Sequence, residues 1–245
     1  MRVLIFLLIL GIPALLQAEE HAAKSDQAQP LETFENYQPQ AFPGQWKVRG
    51  DEEKAQAIYK VMEENGNRFL HARADKQGIQ IGLEHSFQPK EFPLLRWRWR
   101  AGQLPPGGDE RAEKTNDSAA AVYVVFDNRV MPRAIKYVWS STVPVGTRAK
   151  SPTYWRSKVV VLQSGPADTG KWKEETVNIY QDYKDLFDAE PGAVQGIAVQ
   201  TDSDTTASVA EADYDDFTLL SAGSAPAAIQ SSATMDIGPV ATRNH

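Results

Sequence analysis

The sequence predicts an all-β protein: an antiparallel β-sandwich with one short helix. Three observations carry that expectation. Residues 94–101 read Leu-Leu-Arg-Trp-Arg-Trp-Arg-Ala, and an extended backbone sorts Leu95, Trp97, Trp99 and Ala101 from Arg96, Arg98 and Arg100 onto opposite faces. A helix at 3.6 residues per turn would mix the two sets. Asn65-Gly66 separates two alternating runs, 57–63 and 68–75, which is the strongest short-range signal of a hairpin. The other apolar runs are short, rich in β-formers and divided by glycine and proline turns, the pattern of a sandwich.

In chain order, residues 57–63 form the first strand, although Asp51-Glu52-Glu53 ahead of them is also a helix opening; the turn at 65–66 needs a strand as partner. Residues 68–75 return, 78–85 give a third strand and 94–101 a fourth. Residues 119–126, Ala-Ala-Ala-Val-Tyr-Val-Val-Phe, read as a strand buried on both faces. Asp127-Asn128 turns the chain into the alternating run 133–140. Strands at 157–163, 172–179, 196–201 and 210–220 complete the set, and only 180–187 has a helical pattern.

The ends of the chain set its expected compartment. Arg2 precedes an apolar run, 3–16, interrupted by Gly11 and Pro13, and Gln17-Ala18 leads into Glu19-Glu20. That is the pattern of a signal peptide, residues 1–18, cleaved after Ala18, on a periplasmic or secreted protein. The run is short for a membrane span and no second one follows, so no stable span is expected after cleavage. Residues 19–30 read as a flexible linker, 31–220 as the sandwich domain, and 221–245, rich in serine, alanine and glycine, as a disordered tail. There is no cysteine, so neither a lipid anchor nor a disulfide is available and the core must hold the fold. Losing Arg2 takes the formal net charge from −6 to −7, which argues against nucleic acid as a partner.

Candidate site residues follow from charge and exposure. Arg98 and Arg100, about 7 Å apart on one strand face, need carboxylates or a ligand opposite them. Asp117, Asp202, Asp204, Asp213 and Asp215 are the available acids, and the outcome is either a salt-bridge ladder or a ligand wall. Trp97 and Trp99 share a face with Leu95 and read as core; Tyr123, Trp139, Tyr154 and Trp155 are the better stacking candidates, the last two in an apparent loop after Ser151-Pro152. Lys136, in the run 133–140, joins the set. Asp202-Ser203-Asp204-Thr205-Thr206 offers oxygens at alternate positions for calcium, or turn-forming residues without a metal. No other cofactor is indicated: zinc finds only His71 and His85 inside the fold.

Nucleophilic catalysis lacks both a cysteine and a Gly-x-Ser-x-Gly elbow. Glu211-Ala-Asp213-Tyr-Asp215-Asp216 comes close to the Glu-x-Asp-x-x-Glu strand of some lectin-fold glycosidases, but its last carboxylate is one methylene short.

Several blocks occur together: Leu-Arg-Trp-Arg-Trp-Arg (95–100), Leu-Pro-Pro-Gly-Gly-Asp-Glu-Arg (104–111), Val-Tyr-Val-Val-Phe (122–126), Arg-Ala-Ile-Lys-Tyr-Val-Trp (133–139), Thr-Asp-Ser-Asp-Thr-Thr (201–206) and Tyr-Asp-Asp-Phe (214–217). In this order they resemble a family of exported bacterial proteins, domain of unknown function 3047, over residues 34–219. The resemblance implies location and fold and little chemistry; the family pattern carries an arginine where this chain has Ala121. Phe34-Glu35, the run from Phe42 to Val48 and the run from Asp213 to Phe217 resemble the ends of jelly-roll sandwiches, among them sugar-binding modules, and this resemblance implies a sandwich of the jelly-roll, lectin-like or galactose-binding-like kind. The expected function is therefore an exported, non-catalytic binding module for carbohydrate or another polyhydroxylated envelope polymer. A polysaccharide hydrolase or lyase with paired carboxylates, and an envelope structural or assembly protein, are the alternatives.

Overall fold

Two β-sheets stack face to face in the computed structural model, which describes residues 27–127 and 130–224. The strands are β1 (Ala28–Glu32), β2 (Lys47–Arg49), β3 (Tyr59–Glu64), β4 (Asn67–Asp75), β5 (Gln80–Phe87), β6 (Leu94–Gln103), β7 (Ala120–Phe126), β8 (Arg133–Ser140), β9 (Arg148–Lys150), β10 (Ser157–Ser164), β11 (Lys173–Asn178), β12 (Val194–Gln200) and β13 (Val209–Leu220). Two helices, α1 (Glu52–Ile58) and α2 (Ile179–Phe187), accompany them. One sheet, called A here, runs β11-β6-β13-β4-β3, with β1 also on β13; the other, B, runs β2-β5-β12-β7-β8-β10-β9.

The fold class is that of a β-sandwich. Asn65 and Gly66 both take positive φ, 54° and 81°, as a type I′ turn requires, and they join β3 to β4. On β6, Leu95, Trp97, Trp99 and Ala101 are all fully buried. Trp97 packs edge-on against Trp99 and meets Tyr137 of sheet B, while Trp99 meets Trp139. Trp139 is therefore core and not a stacking candidate.

Four local expectations differ. Residues 52–58 are helical, because the Asp51 side chain accepts from the Lys54 N–H and caps the turn; the strand begins at Tyr59. The sandwich thus carries two short helices, and α2 starts at Ile179 behind an Asn178 cap. The pairing of β8 with β10 is parallel, since the chain passes out through β9 before β10 inserts between them. At the N-terminus, residues 28–30 of the expected linker belong to β1, which pairs with residues 217–220 of β13. Ser221 is buried and bonded to Gln27, so the first residue of the expected tail belongs to the fold. The expected signal peptide and residues 225–245 of the tail lie outside the described residues.

Glu32 ties this N-terminal segment down. Its carboxylate accepts from the Thr33 and Phe34 N–H groups, the Tyr37 hydroxyl and the Trp46 indole, all at 2.8–3.1 Å. Removing an acceptor shared by four donors leaves several of them buried and unpaired. Glu32→Ala should lower stability by about 3 kcal/mol, a fall in Tm of roughly 6–12 °C for a domain of this size. Thermal and urea unfolding check this; a loss under about 1 kcal/mol would show that the hub does not anchor the segment.

Candidate functional site

Sheet A presents its three arginines outward, and β13 beside them presents Asp213 and Asp215 in register: Arg100 pairs with Asp213 and Arg98 with Asp215. A bulge at Asp216 (φ 54°) brings a second carboxylate to the same guanidinium. Arg98 donates to Asp215 at 2.6 Å and makes a close ionic contact with Asp216, while Arg100 reaches Asp213 at 2.7 Å and Glu64 at 3.2 Å. Trp172 covers both guanidiniums, 5.0 and 4.8 Å from its ring centre, and Phe69 meets Trp172 edge-on. His71 takes the other oxygen of Asp213 at 2.8 Å. Arg98 and Arg100 thus belong to a salt ladder with an aromatic cover, while Arg96 forms no ion pair among the described residues and the buried Arg98 Nε, despite its ionic contact with Asp216, has no well-formed hydrogen bond. Burial outweighs the Asn67 and Arg98 hydrogen bonds on Asp215 and pushes its carboxyl up to about 6.

Sheet B differs. Its inward residues on β7 are Ala120, Val122, Val124 and Phe126, so Ala121, Tyr123 and Val125 face out. On β8 the parity exports Ala134, Lys136 and Val138. Tyr123 and Lys136 sit directly opposite one another, and the lysine ammonium lies 5.8 Å from the tyrosine ring centre. Around them opens a cavity of about 450 Å³, lined also by Arg49, Gln80, Asn116, Tyr154, Ser157 and Gln200. A second hollow of about 320 Å³ shares Arg49, Gln80, Val125 and Pro132 with it and continues over Gly82, Ala198 and Gly196. The two make one trough across β2, β5, β12, β7 and β8. Glycine is required at 196, where a Cβ would collide with the Leu83 carbonyl oxygen.

A buried polar layer supports the trough. The Tyr123 hydroxyl donates to Gln200 at 2.9 Å, and Gln200 donates to Asp202 at 2.8 Å. Glu110 is fully buried and accepts from Ser118 and Ser140. Burial pulls the Lys136 ammonium down, but Tyr123, Glu110 and Asp202 more than offset it, so the group stays charged. Asp202 is pushed up from 3.8 to about 7, first by burial and then by Asp204 and Asp117, against the pull of Lys136. Gly78 makes room for it: a Cβ there would collide with the Asp202 carboxylate. Three buried polar atoms in this region have no hydrogen-bond partner: Asn116 Oδ1, Ser157 Oγ and Asp202 Oδ1.

Asp117, Asp202 and Asp204 bring carboxylate oxygens within 4.8 Å of one another. Both Asp117 oxygens already accept two hydrogen bonds each, from the N–H and hydroxyl of Thr205 and of Thr206, so Asp117 fastens the 203–208 turn to the neighbouring loop. Asp202 holds Gln200 with its other oxygen. Calcium, which takes six to eight oxygens, would have to draw most of them from backbone carbonyls and water there.

The ten expected site residues therefore part into separate places. Tyr123 and Lys136 form the centre of the trough, and Tyr154, whose hydroxyl donates to the Pro132 carbonyl, stands on its rim. Asp202 supports it from below; Asp117 is a turn fastener and Asp204 is exposed beside it. Arg98, Arg100 and Asp215 belong to the ladder on the other sheet, and no contact joins them to Asp202 or Asp204, which corrects the expectation of one combined wall. Trp155 lines a different groove. Ala121 packs with Val138, Val143, Val159 and Val161. Arg49, Gln80, Asn116, Ser157 and Gln200 are trough residues that the sequence did not single out. Only Gln200 carried a local signal, a polar residue closing an alternating apolar strand.

The family described as a protein of unknown function (DUF3047) matches residues 44–218, and the chain belongs to it. No curated protein matches. Among solved structures, the chain is similar to the family 30 carbohydrate-binding module of a cellulosomal cellulase of Clostridium thermocellum, with 11% identity, 81% of this chain and 93% of that one covered, and a TM-score of 0.39. It is similar to the xyloglucanase domain of NopAA, a type three effector from Sinorhizobium fredii, in complex with cellobiose (12%, 74% and 96%, 0.37). A third likeness is to the family 11 xylanase from Neocallimastix patriciarum (9%, 79% and 96%, 0.33). At such scores none of them informs the site.

The raised Asp202 carboxyl has a consequence for stability. The native state holds this proton from about pH 7 downward while the unfolded chain releases it near 3.8, so the native state binds more protons in that window. Its contribution is favourable below the unfolded value and is lost as pH rises toward 7. Asp202→Asn should remove this slope and stabilise the protein at pH 8 by up to about 4 kcal/mol. Urea unfolding of both proteins from pH 4 to 8 tests it, and parallel curves would contradict it.

Proposed function

We propose that this DUF3047 protein binds a saccharide in the trough of sheet B, with Tyr123, Lys136 and Gln200 at the centre of contact. The observation that carries the reading is the polar lining of one open cavity, where Tyr123, Gln80, Gln200 and Asn116 stand beside Arg49, and three unpartnered atoms, Asn116 Oδ1, Ser157 Oγ and Asp202 Oδ1, are buried in the residues around it. Buried polar groups without partners are rare in folded proteins, and here they occur around a cavity that amides and the Arg49 guanidinium line, with the buried Lys136 ammonium beside Tyr123. Vicinal hydroxyls both donate and accept, so a sugar satisfies such a mixed lining better than a purely anionic or apolar ligand does. Tyr154 and the partly open Tyr123 ring add apolar faces for stacking.

Binding is favoured over cleavage by one further fact. No carboxylate lines the larger cavity among the described residues, so a paired-carboxylate hydrolase or lyase has no acid–base pair there. The acids of β13 that came near a glycosidase motif are engaged in the sheet A ladder. Arg2, the apolar run 3–16 and Ala18 support export, with the mature chain starting at Glu19. Among the described residues no helix is long and apolar enough to cross a membrane.

A panel of neutral and acidic oligosaccharides, read by melting-temperature shift and by release of reducing ends, tests the proposal. At least one ligand should raise Tm without generating new ends. Tyr123→Ala and Gln200→Ala should each weaken that ligand by at least about tenfold, equivalent to 1.4 kcal/mol, whereas Arg98→Met should leave its affinity unchanged despite a lower Tm. New reducing ends, a panel without any shift, or loss of binding in Arg98→Met would each overturn it.

A further inference from the structure

We propose that the ligand surface continues past the Tyr154 rim into a cationic groove that receives the acid group of an anionic saccharide. This rests on the trough being a saccharide site. The groove, about 250 Å³, is lined by Arg133, Lys150, Trp155, Arg156, Lys158 and Phe187. Four cations from β8, β9, the 151–156 loop and β10 therefore surround one hollow on a chain whose net charge is −6. Composition does not explain them.

Their compensation is thin. Asp127 is the nearest carboxylate to the two arginines, at 3.9 Å from Arg133 and 3.7 Å from Arg156, both longer than a charge-assisted hydrogen bond. Lys150 and Lys158 form no ion pair among the described residues. After burial, the neighbouring charges of Lys150 and Arg133 push the Lys158 ammonium down, as expected for cations held together without an anion. Arg133 is nonetheless fixed: it donates to the Tyr183 hydroxyl at 2.7 Å and lies over the Phe187 ring at 5.3 Å. A preorganised guanidinium beside two ammonium groups suits a carboxylate, sulfate or phosphate.

Strand parity sets the groove on the opposite face of sheet B from the trough, and the two meet only round the strand ends. On β8, Ala134 and Lys136 line the trough and Arg133 lines the groove; along the following loop and β10, Tyr154 and Ser157 face one, and Trp155, Arg156 and Lys158 the other. The two hollows thus lie on either side of the same strands and approach one another at the wall formed by the 151–156 loop. Tyr154 and Trp155 stand side by side on it, and Trp155 is 68% exposed, far more than the core aromatics. A saccharide crossing that wall has an aromatic face for a ring and cations for its acid group.

Titration calorimetry with trigalacturonate, its methyl ester and a sulfated galactose trisaccharide tests the proposal on the mature protein. At least one charged probe should bind about tenfold or more tighter than the ester. The double variant Lys150→Gln, Lys158→Gln should bring that probe to the ester's affinity while leaving Tm and any binding of the ester unchanged. Preference for carboxylate or for sulfate identifies the acid. Equal affinities for charged and esterified probes overturn the groove and leave the trough standing. A preference that survives the double variant overturns the groove as its source, and failure of all three probes to bind overturns the groove and counts against the trough.

Discussion

The aromatic contact between the two sheets decides what each sheet can present outside. Trp97 of β6 lies 5.8 Å from Tyr137 of β8, and Trp99 lies 6.2 Å from Trp139, ring centre to ring centre. Side chains alternate along a strand, so burying these four rings leaves no freedom for their neighbours. On β6 the arginines must face out; on β8 Lys136 must. A slip of one residue in β6 would put three guanidiniums into an apolar core, a cost that no rearrangement nearby could offset. The same packing that holds the sandwich together thus sets two charged faces on opposite sides of it.

Those faces end differently because their acids come from different places. On sheet A the carboxylates sit on the adjacent strand in register, and the bulge at Asp216 adds one more, so Arg98 and Arg100 are ion-paired within the sheet and covered by Trp172. On sheet B the acids come from loops and lie beneath the surface. Glu110 is occupied by serine hydroxyls, Asp117 by Thr205 and Thr206, and Asp202 by Gln200. They keep the buried Lys136 charged beside the Tyr123 ring. The hydrogen-bonding capacity of Tyr123, Gln80, Gln200 and Asn116 then lines an open trough, whereas Arg98 and Arg100 on the other sheet are taken up by carboxylates.

Local patterns announced most strands because the period of two is a property of each strand alone. The hairpin at Asn65-Gly66 and the sorted faces of β6 needed nothing beyond their own residues. β1 was invisible for the opposite reason: Ala28, Gln29 and Pro30 have little β character, and they are a strand only because β13 extends far enough to pair with them. The parallel pairing of β8 and β10 likewise depends on where β9 goes. On sheet B, the alternation of β7 and β8 made Tyr123 and Lys136 legible, whereas the triple arginine run pointed to sheet A, where Arg98 and Arg100 are ion-paired. Whether guanidiniums are free or satisfied turns on their neighbour strand, and the register of β13 against β6 cannot be read from either one. Arg49, Asn116 and Gln200 come together only through the order β2-β5-β12-β7-β8, which joins parts of the chain distant in sequence.

The central claim is that the ligand surface lies on sheet B and that the arginine face of sheet A is structural. Backbone and side-chain NMR of the labelled protein, titrated with whichever oligosaccharide raises Tm most, addresses it directly. The account predicts that signals of Tyr123, Lys136, Gln80 and Gln200 shift with ligand while those of Arg98, Arg100 and the Trp172 indole stay in place. Shifts concentrated at Arg98, Arg100 and Trp172, with the trough unperturbed, would contradict it.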